Sequence, residues 1–225
     1  MKYYLWKGDI TKKCGTRINW TNVTLSRDEG GLGIKNSSDW NRAQLMVHLC
    51  HIIFDAPNLW AKWVNTTVPK RKYFWTMIEP TDCSWIWRKI LQLRNVALQF
   101  LSYTVGDGRT ISLWFDPWWN QSYLASNKFD NIITQVGLST EAIVHDIINT
   151  GNWVLPIPNT HHHHVQHKFL DRIHNFSYPD FNLEQTDRIF WNGVDVKKVK
   201  AWHIWDATRF RLPITNSYKT GLVRD

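Results

Sequence analysis

Between Glu29 and Pro57 a glycine hinge leads into a helix, and this stretch limits what the chain can fold into more than any other. Gly30, Gly31 and Gly33 lie around Leu32, and three glycines in four positions permit backbone angles that a side chain forbids. Beyond the turn, Ser37 or Ser38 is placed to cap a helix, with Asp39 in the first turn where the helix dipole favours negative charge. Trp40, Ala43, Met46, Val47, Cys50, Ile53 and Phe54 recur at intervals of three and four and predict one apolar side. Asn41, Gln44, His48, His51 and Asp55 make a polar stripe on another. Leu45, Leu49 and Ile52 widen the apolar side beyond one seam, so the helix is expected between two neighbours. Pro57 disfavours helical angles at Ala56 and ends it.

The content of hydrophobic residues, 43% with 14% aromatic, is that of a folded chain. Fifteen tryptophans suit both small cores and surfaces that stack or bind, because indole is large and amphipathic. The net charge of +8 is unevenly spread. Residues 1–94 hold fifteen Lys and Arg against seven acids, residues 95–186 four against eight, and the remainder eight against four. Basic ends beside a mildly acidic middle point to a polyanion, nucleic acid before membrane, since no basic amphipathic helix stands out. Such contact is expected to be weak and sequence-independent. Cys14, Cys50 and Cys83 form no Cys-x-x-Cys pair, so neither a disulfide scaffold nor a zinc finger follows. With too short an apolar run for a signal peptide and no membrane span, the expected location is intracellular, nucleus or cytoplasm.

Asn58 is placed to cap a short helix with Leu59, Trp60, Trp63 and Val64 on one side. Lys70, Arg71 and Lys72 then precede Tyr73, Phe74 and Trp75. Three cations beside three rings can pair phosphates and stack bases, as binders of single-stranded nucleic acid do; the alternative is that the rings face the core and the cations face water. Asp82 or Ser84 opens a helix to about Phe100, with Ile86, Ile90, Leu93, Ala97 and Phe100 inward. Arg88 and Lys89 on this helix join the candidate binding set, which is Lys70, Arg71, Lys72, Tyr73, Trp75, Arg88 and Lys89. Tyr103 and Val105, a turn at Gly106-Asp107-Gly108, then Ile111, Leu113 and Phe115 predict a hairpin. A helix is expected over 139–149, stopped by Gly151. Arg188 to Lys200 around Asn192-Gly193 is the strongest hairpin signal in the chain, and a helix from about Ala201 to Arg209 follows.

The residues present exclude several chemistries. There is no Gly-x-Ser-x-Gly elbow, phosphate-binding glycine loop with its Lys, or His-Glu-x-x-His. Two-metal phosphoryl transfer needs paired carboxylates, and the nearest doublet, Asp28-Glu29, enters a turn where it is expected to face water. Asp107 and Asp116 suit turns. The run His161 to His164 with His167 lacks a carboxylate or cysteine at ligand spacing, so no metal site, cofactor or catalytic residue is assigned.

Ordered segments resemble the region after the polymerase thumb of plant non-LTR (LINE-type) retrotransposon reverse transcriptases. They are Leu5-Trp6-Lys7-Gly8, Glu29-Gly30-Gly31-Leu32-Gly33-Ile34, Trp40-Asn41-Arg42-Ala43 and Leu59-Trp60-Ala61-Lys62-Trp63-Val64. Next come Ser84-Trp85-Ile86-Trp87-Arg88-Lys89, Gly106-Asp107-Gly108 and Leu113-Trp114-Phe115-Asp116-Pro117-Trp118. Asn152-Trp153, the histidine run, Asp187-Arg188-Ile189-Phe190-Trp191 and Ala201-Trp202-His203-Ile204-Trp205-Asp206 complete the set. The resemblance implies part of a polyprotein that copies RNA into DNA at a nicked target. It further implies that the polymerase aspartates lie upstream of Met1 and that a zinc-binding segment begins near Ala201 to Arg209, with its ligands farther on. After Arg209 the sequence departs from the family pattern.

The expected fold is α+β, mainly helical with at least two β-hairpins and small tryptophan-rich cores. Three blocks are expected: a post-thumb segment over 1–56, a helix and hairpin region over 57–150, and a hairpin and helix leading toward a truncated zinc-binding segment over 151–225. The expected role is a non-catalytic reverse transcriptase fragment contacting RNA or DNA backbone, with no membrane partner. The competing expectation is a structural remnant of a decayed retroelement that binds nothing.

Overall fold

The computed structural model describes residues 19–67, 74–119, 124, 138–149, 152–154 and 179–211. They are α+β and fall into two compact units, one collecting residues 19–44 with 201–211 and the other residues between 45 and 200. This grouping is discontinuous along the chain.

In the first unit, Asn19 caps the short helix α1 (Trp20–Val23) by accepting a bond from the Thr21 amide at 3.2 Å. A single 3-10 turn at Arg27–Glu29 then meets the glycine hinge. The hinge doubles back: the Gly31 amide donates to the Ser26 carbonyl at 2.9 Å, Leu32 to Val23 at 3.0 Å and Gly33 to Leu25 at 2.9 Å. Gly30 has φ of 83° and Gly33 φ of 71°, and a β-carbon on Gly31 would run into the Leu25 carbonyl. The expected hinge is therefore required both by backbone angle and by close approach.

Helix α2 (Ser37–Ile53) is as long as its periodicity implied, but Asn36 caps it, accepting from the Ser38 amide at 3.0 Å. It runs from one unit into the other, the division falling after Gln44. Ala43, Leu45, Met46, Leu49, Cys50, Ile52 and Ile53 are all buried, which accounts for the broad apolar side. Burial pushes the Cys50 thiol up to about 12, so it packs as a small apolar group. The helix stops where Asp55 takes a left-handed φ of 55°, and the Ala56 amide donates to His51 at 2.8 Å.

In the second unit, Asn58 caps α3 (Leu59–Thr67) by accepting from Ala61 at 2.7 Å, as expected. The buried side of α3 differs from the expected one: Ala61 and Val64 face inward, whereas Leu59 and Trp63 are exposed. Ser84 caps α4 (Trp85–Gln92), accepting from Trp87 at 3.2 Å. Leu93 interrupts what the sequence reads as one helix, and α5 (Arg94–Leu98) follows. Strand β1 (Leu101–Thr104) comes next. Farther on are β2 (Ile148–Asn149), β3 (Asn152–Trp153), β4 (Arg188–Trp191) and β5 (Val194–Asp195).

Among the described residues two antiparallel sheets form, β1-β4-β5 and β2-β3. The β4–β5 hairpin is the one that Asn192-Gly193 predicts, with φ of 45° and 82° at the two turn residues, both positive as a type I′ turn demands. The expected hairpin over 103–115 does not form. Strand β1 pairs instead with β4, setting Leu101 opposite Trp191 and Thr104 opposite Arg188. The reason is Asp187. Its carboxylate accepts from the amides of Gly106 (2.8 Å), Gly108 (2.9 Å) and Thr110 (2.9 Å) and from the Thr110 hydroxyl (2.8 Å). The glycine loop therefore wraps an anion from 81 residues away in sequence instead of closing on its own strand.

The helix expected over 139–149 is also absent. A 3-10 turn spans Val144–Ile147 and β2 follows. Long-range bonds explain it: Leu113 donates to Ala142 and Val144 donates to Ile111, both at 3.0 Å, while Asp146 accepts from the Ile143 amide at 2.9 Å. These residues close over a core of Val105, Ile111, Leu113, Trp114, Phe115, Trp118, Trp119, Ala142, Val144 and Ile147. Trp118 stacks on Trp119 and Trp153 at centroid distances of 5.7 and 5.5 Å. The indoles of Trp114, Trp118 and Trp153 donate to the carbonyls of Ser139, Leu113 and Pro179, so these three tryptophans have their polar atom satisfied. Phe100 stacks on the fully buried Trp191 at 5.3 Å.

Candidate nucleic-acid interface

The sequence places the best binding patch at Lys70, Arg71, Lys72 and Tyr73, and these four lie outside the described residues. The histidine run from His161 to His167 does too. The chain is described again from Phe74, and there the expectation for Trp75 needs correction. Phe74 and Trp75 are both buried, with their rings meeting edge on at 5.1 Å. The Trp75 indole donates to the Tyr103 hydroxyl at 3.2 Å. Arg94 fixes this corner from the other side, donating to the carbonyls of Phe74 at 2.7 Å and Trp75 at 3.1 Å. A ring so enclosed has no free face for a base, so Trp75 belongs to the core.

Arg88 and Lys89 lie on α4. Arg88 forms an ion pair with Glu79 at 2.9 Å and donates to the Thr81 carbonyl at 3.2 Å. Its charge is thus matched locally, in a half-exposed pair of the kind that contributes about 0–1 kcal/mol. Lys89 donates to the Gln92 side chain at 3.2 Å and has no acidic partner among the described residues. Of the two, Lys89 keeps its charge available to a phosphate.

Elsewhere cations pair with the protein's own rings. In the first unit Lys35 Nζ lies 3.7 Å from the Trp40 ring and 5.3 Å from Trp205, the two indoles meet edge on at 6.4 Å, and the Arg209 guanidinium lies 4.9 Å from Trp205. Arg209 also forms an ion pair with Glu29 at 2.6 Å, with side chains only 11% and 5% exposed. Glu29 therefore does not face water as its place in a turn suggested. The Arg209 guanidinium holds its carboxyl below the usual carboxylate range, outweighing the opposite push of burial, and the bond to Glu29 raises Arg209 in turn. Arg42 donates to the Thr208 carbonyl at 3.2 Å, at the end of α6 (Ala201–Thr208).

In the polar stripe of α2, Asn41, Gln44 and Asp55 are exposed as the spacing suggested, whereas His48 and His51 are half-buried. His48 sits 4.6 Å from the Trp60 ring and 6.0 Å from His51, and its Nδ1 is buried without a partner among the described residues. Burial lowers the pKa of His48, and burial with the neighbouring His48 charge lowers that of His51. Among the described residues no three His, Cys, Asp or Glu side chains are grouped to hold a metal ion, and no helix is long and apolar enough to cross a membrane. Asp107 and Asp116 serve turns, accepting from the amides of Arg109 at 3.3 Å and Ser112 at 2.8 Å.

What the sequence reading missed is the outward side of α3. Lys62 and Trp63 lie there in the open, with Trp63 58% exposed and Leu59 86%. The signal was available in Ala61 and Val64, the smaller pair of the helix, which fits a close approach better than two bulky rings.

No protein-family profile and no solved structure matches the chain. Two curated proteins of Arabidopsis thaliana do. One, named "Putative ribonuclease H protein", is 29% identical over 125 residues, which is 51% of this chain and 19% of that protein. The other, named "Uncharacterized mitochondrial protein", is 25% identical over 119 residues, 52% of this chain and 77% of that protein. The chain is thus similar over about half its length to plant proteins, and it spans about a fifth of the first.

Proposed function

We propose that the chain is a non-catalytic part of a LINE-type retroelement reverse transcriptase polyprotein and that it holds RNA or DNA backbone weakly, without reading sequence. The observation that carries this reading is the similarity, over half the chain, to a much longer plant protein that bears a ribonuclease H name. Degrading RNA paired with DNA belongs with copying RNA into DNA, and the tryptophan-rich segments that resemble the post-thumb region narrow the reading to the LINE type. The carboxylates support a scaffolding role. Glu29 is taken up by Arg209, Asp187 by the glycine loop, and Asp146 by the Ile143 amide, which leaves no free pair among them for the two-metal chemistry of polymerisation.

The test is a salt titration of binding to labelled single-stranded RNA and DNA. Replacing Lys70, Arg71 and Lys72 by Glu is expected to weaken binding and to reduce the slope of log K against log salt by about 2, since each phosphate no longer neutralised removes roughly 0.7. Binding unchanged by the triple replacement removes these residues from the interface. No binding even at low salt favours a structural remnant. Incorporation of deoxynucleotides, or cleavage of an RNA–DNA hybrid, by the purified chain overturns the non-catalytic reading.

A further inference from the structure

We infer that the outward face of α3, centred on Trp63 with Lys62 beside it, is a stacking platform for the bases of a single-stranded nucleic acid. This rests on the reading that the chain contacts nucleic acid and supplies the aromatic ring that Trp75 cannot. Ala61 and Val64, 0% and 2% exposed, fix which side of the helix is buried. Leu59, Lys62, Trp63 and Thr66 then fall on the opposite side, three and four residues apart, and all four are exposed. Trp63 is the largest side chain of that face, and its ring has no stacking partner or hydrogen bond among the described residues. Trp85 and Trp202, 58% and 53% exposed, are also open, but Trp202 lies against His203 and Trp85 stands on the helix whose Arg88 is already paired with Glu79.

Charge selects the occupant. From Ala56 to Ile78 the sequence contains no acidic residue, while Lys62, Lys70, Arg71 and Lys72 bring four cations. Lys62 has no acidic partner among the described residues, and the carboxylate that reaches this helix, Asp55, is taken up by the Asn65 amide group at 2.6 Å. An exposed indole beside a cation, in a run without acids, is complementary to a base and its phosphate. A duplex keeps its base faces stacked inside, so the ring selects single strands. The cap from Asn58 to Ala61 holds the start of the helix, so the platform is built on ordered backbone.

The experiment uses the full chain and a labelled oligo(U) of about twenty nucleotides, longer than the site of a typical single-strand binding fold, read by fluorescence anisotropy at several salt concentrations. Trp63→Ala is expected to weaken binding about tenfold with the salt slope unchanged, since stacking is worth roughly that per base, and Trp63→Phe to restore most of it. Lys62→Glu is expected to weaken binding and lower the slope by about 0.7. The wild type should prefer the single strand to a duplex of equal length, and Trp63→Ala should erase that preference. Wild-type affinity in Trp63→Ala overturns the inference. If replacing Lys70, Arg71 and Lys72 weakens binding while Trp63→Ala does not, the proposed function stands and this inference alone fails. If Trp63→Ala instead changes sedimentation from associated to monomeric and leaves oligo(U) affinity intact, the face belongs to a second copy and the inference is equally overturned.

Discussion

Two regions use the same pair of chemistries, a cation and an indole, to opposite ends. In the first unit Lys35 and Arg209 flank the paired rings of Trp40 and Trp205, and Glu29 neutralises the arginine at the buried end. On α3, Lys62 and Trp63 lie side by side in water with no acid in the surrounding sequence. Composition is alike; the difference is whether a carboxylate and a second ring close the set. Where they do, the cluster is glue, and where they do not, it is a surface with capacity left over.

The two regions should part most visibly at the buried ion pair. Arg209→Met strands the Glu29 carboxylate with no cation, leaving it Ser26 alone, through the amide at 3.2 Å and the side chain, and a destabilisation on the order of 3 kcal/mol is expected in urea unfolding, since an uncompensated buried charge costs that much. A loss below about 1 kcal/mol would place the pair with ordinary surface bridges. Acid isolates the same pair. Glu29 titrates below its unfolded value, so its stabilisation is complete above the ordinary carboxylate range and disappears as pH falls through the lowered value. The gap between wild type and Arg209→Met should narrow over that acid window.

Next comes Asp187, a carboxylate satisfied by a loop rather than by a cation. Asp187→Ala should cost about 2 kcal/mol, because hydrogen bonds to a charged acceptor are worth more than neutral ones and three amides are left without their acceptor. Hydrogen exchange should quicken at Gly106, Gly108 and Thr110 first. A smaller effect belongs to His48. Its folded pKa is lowered by burial, so stability is fully present above the ordinary histidine range and declines as pH drops from there toward the lowered value. His48→Gln should flatten that decline in a series of melts.

The smallest expected effect is Trp63→Ala, under about 0.5 kcal/mol, as for exposed substitutions away from any packed feature. That value against the tenfold loss of binding is the contrast between the two regions in one variant. A large drop in melting temperature would instead make the ring part of the fold.

Local signals were legible. Asn192-Gly193 named its turn, Asn58 and Ser84 named their caps, and the three-four spacing of α2 named its length. Each acts within a few residues of itself. The failures of pairing involve partners far along the chain. Strand β1 finds β4, the glycine loop finds Asp187, and the backbone of 142–144 finds 111–113. Alternation alone could not choose between a nearby partner and a distant one. Burial of Trp75 and exposure of Trp63 were unreadable for a related reason: identical side chains take opposite roles according to which neighbours approach. Of the candidate interface, the run of cations was plain from sequence, whereas the ring that accompanies it required the orientation of α3.

The bond between Glu29 and Arg209 spans 180 residues. On a ribosome adding about 5–20 residues per second, the glutamate waits on the order of ten to forty seconds for its arginine to be made. During that interval the early segment must emerge with its acid unpaired, and any nascent chain interrupted before Arg209 releases a product in which that pairing never occurs.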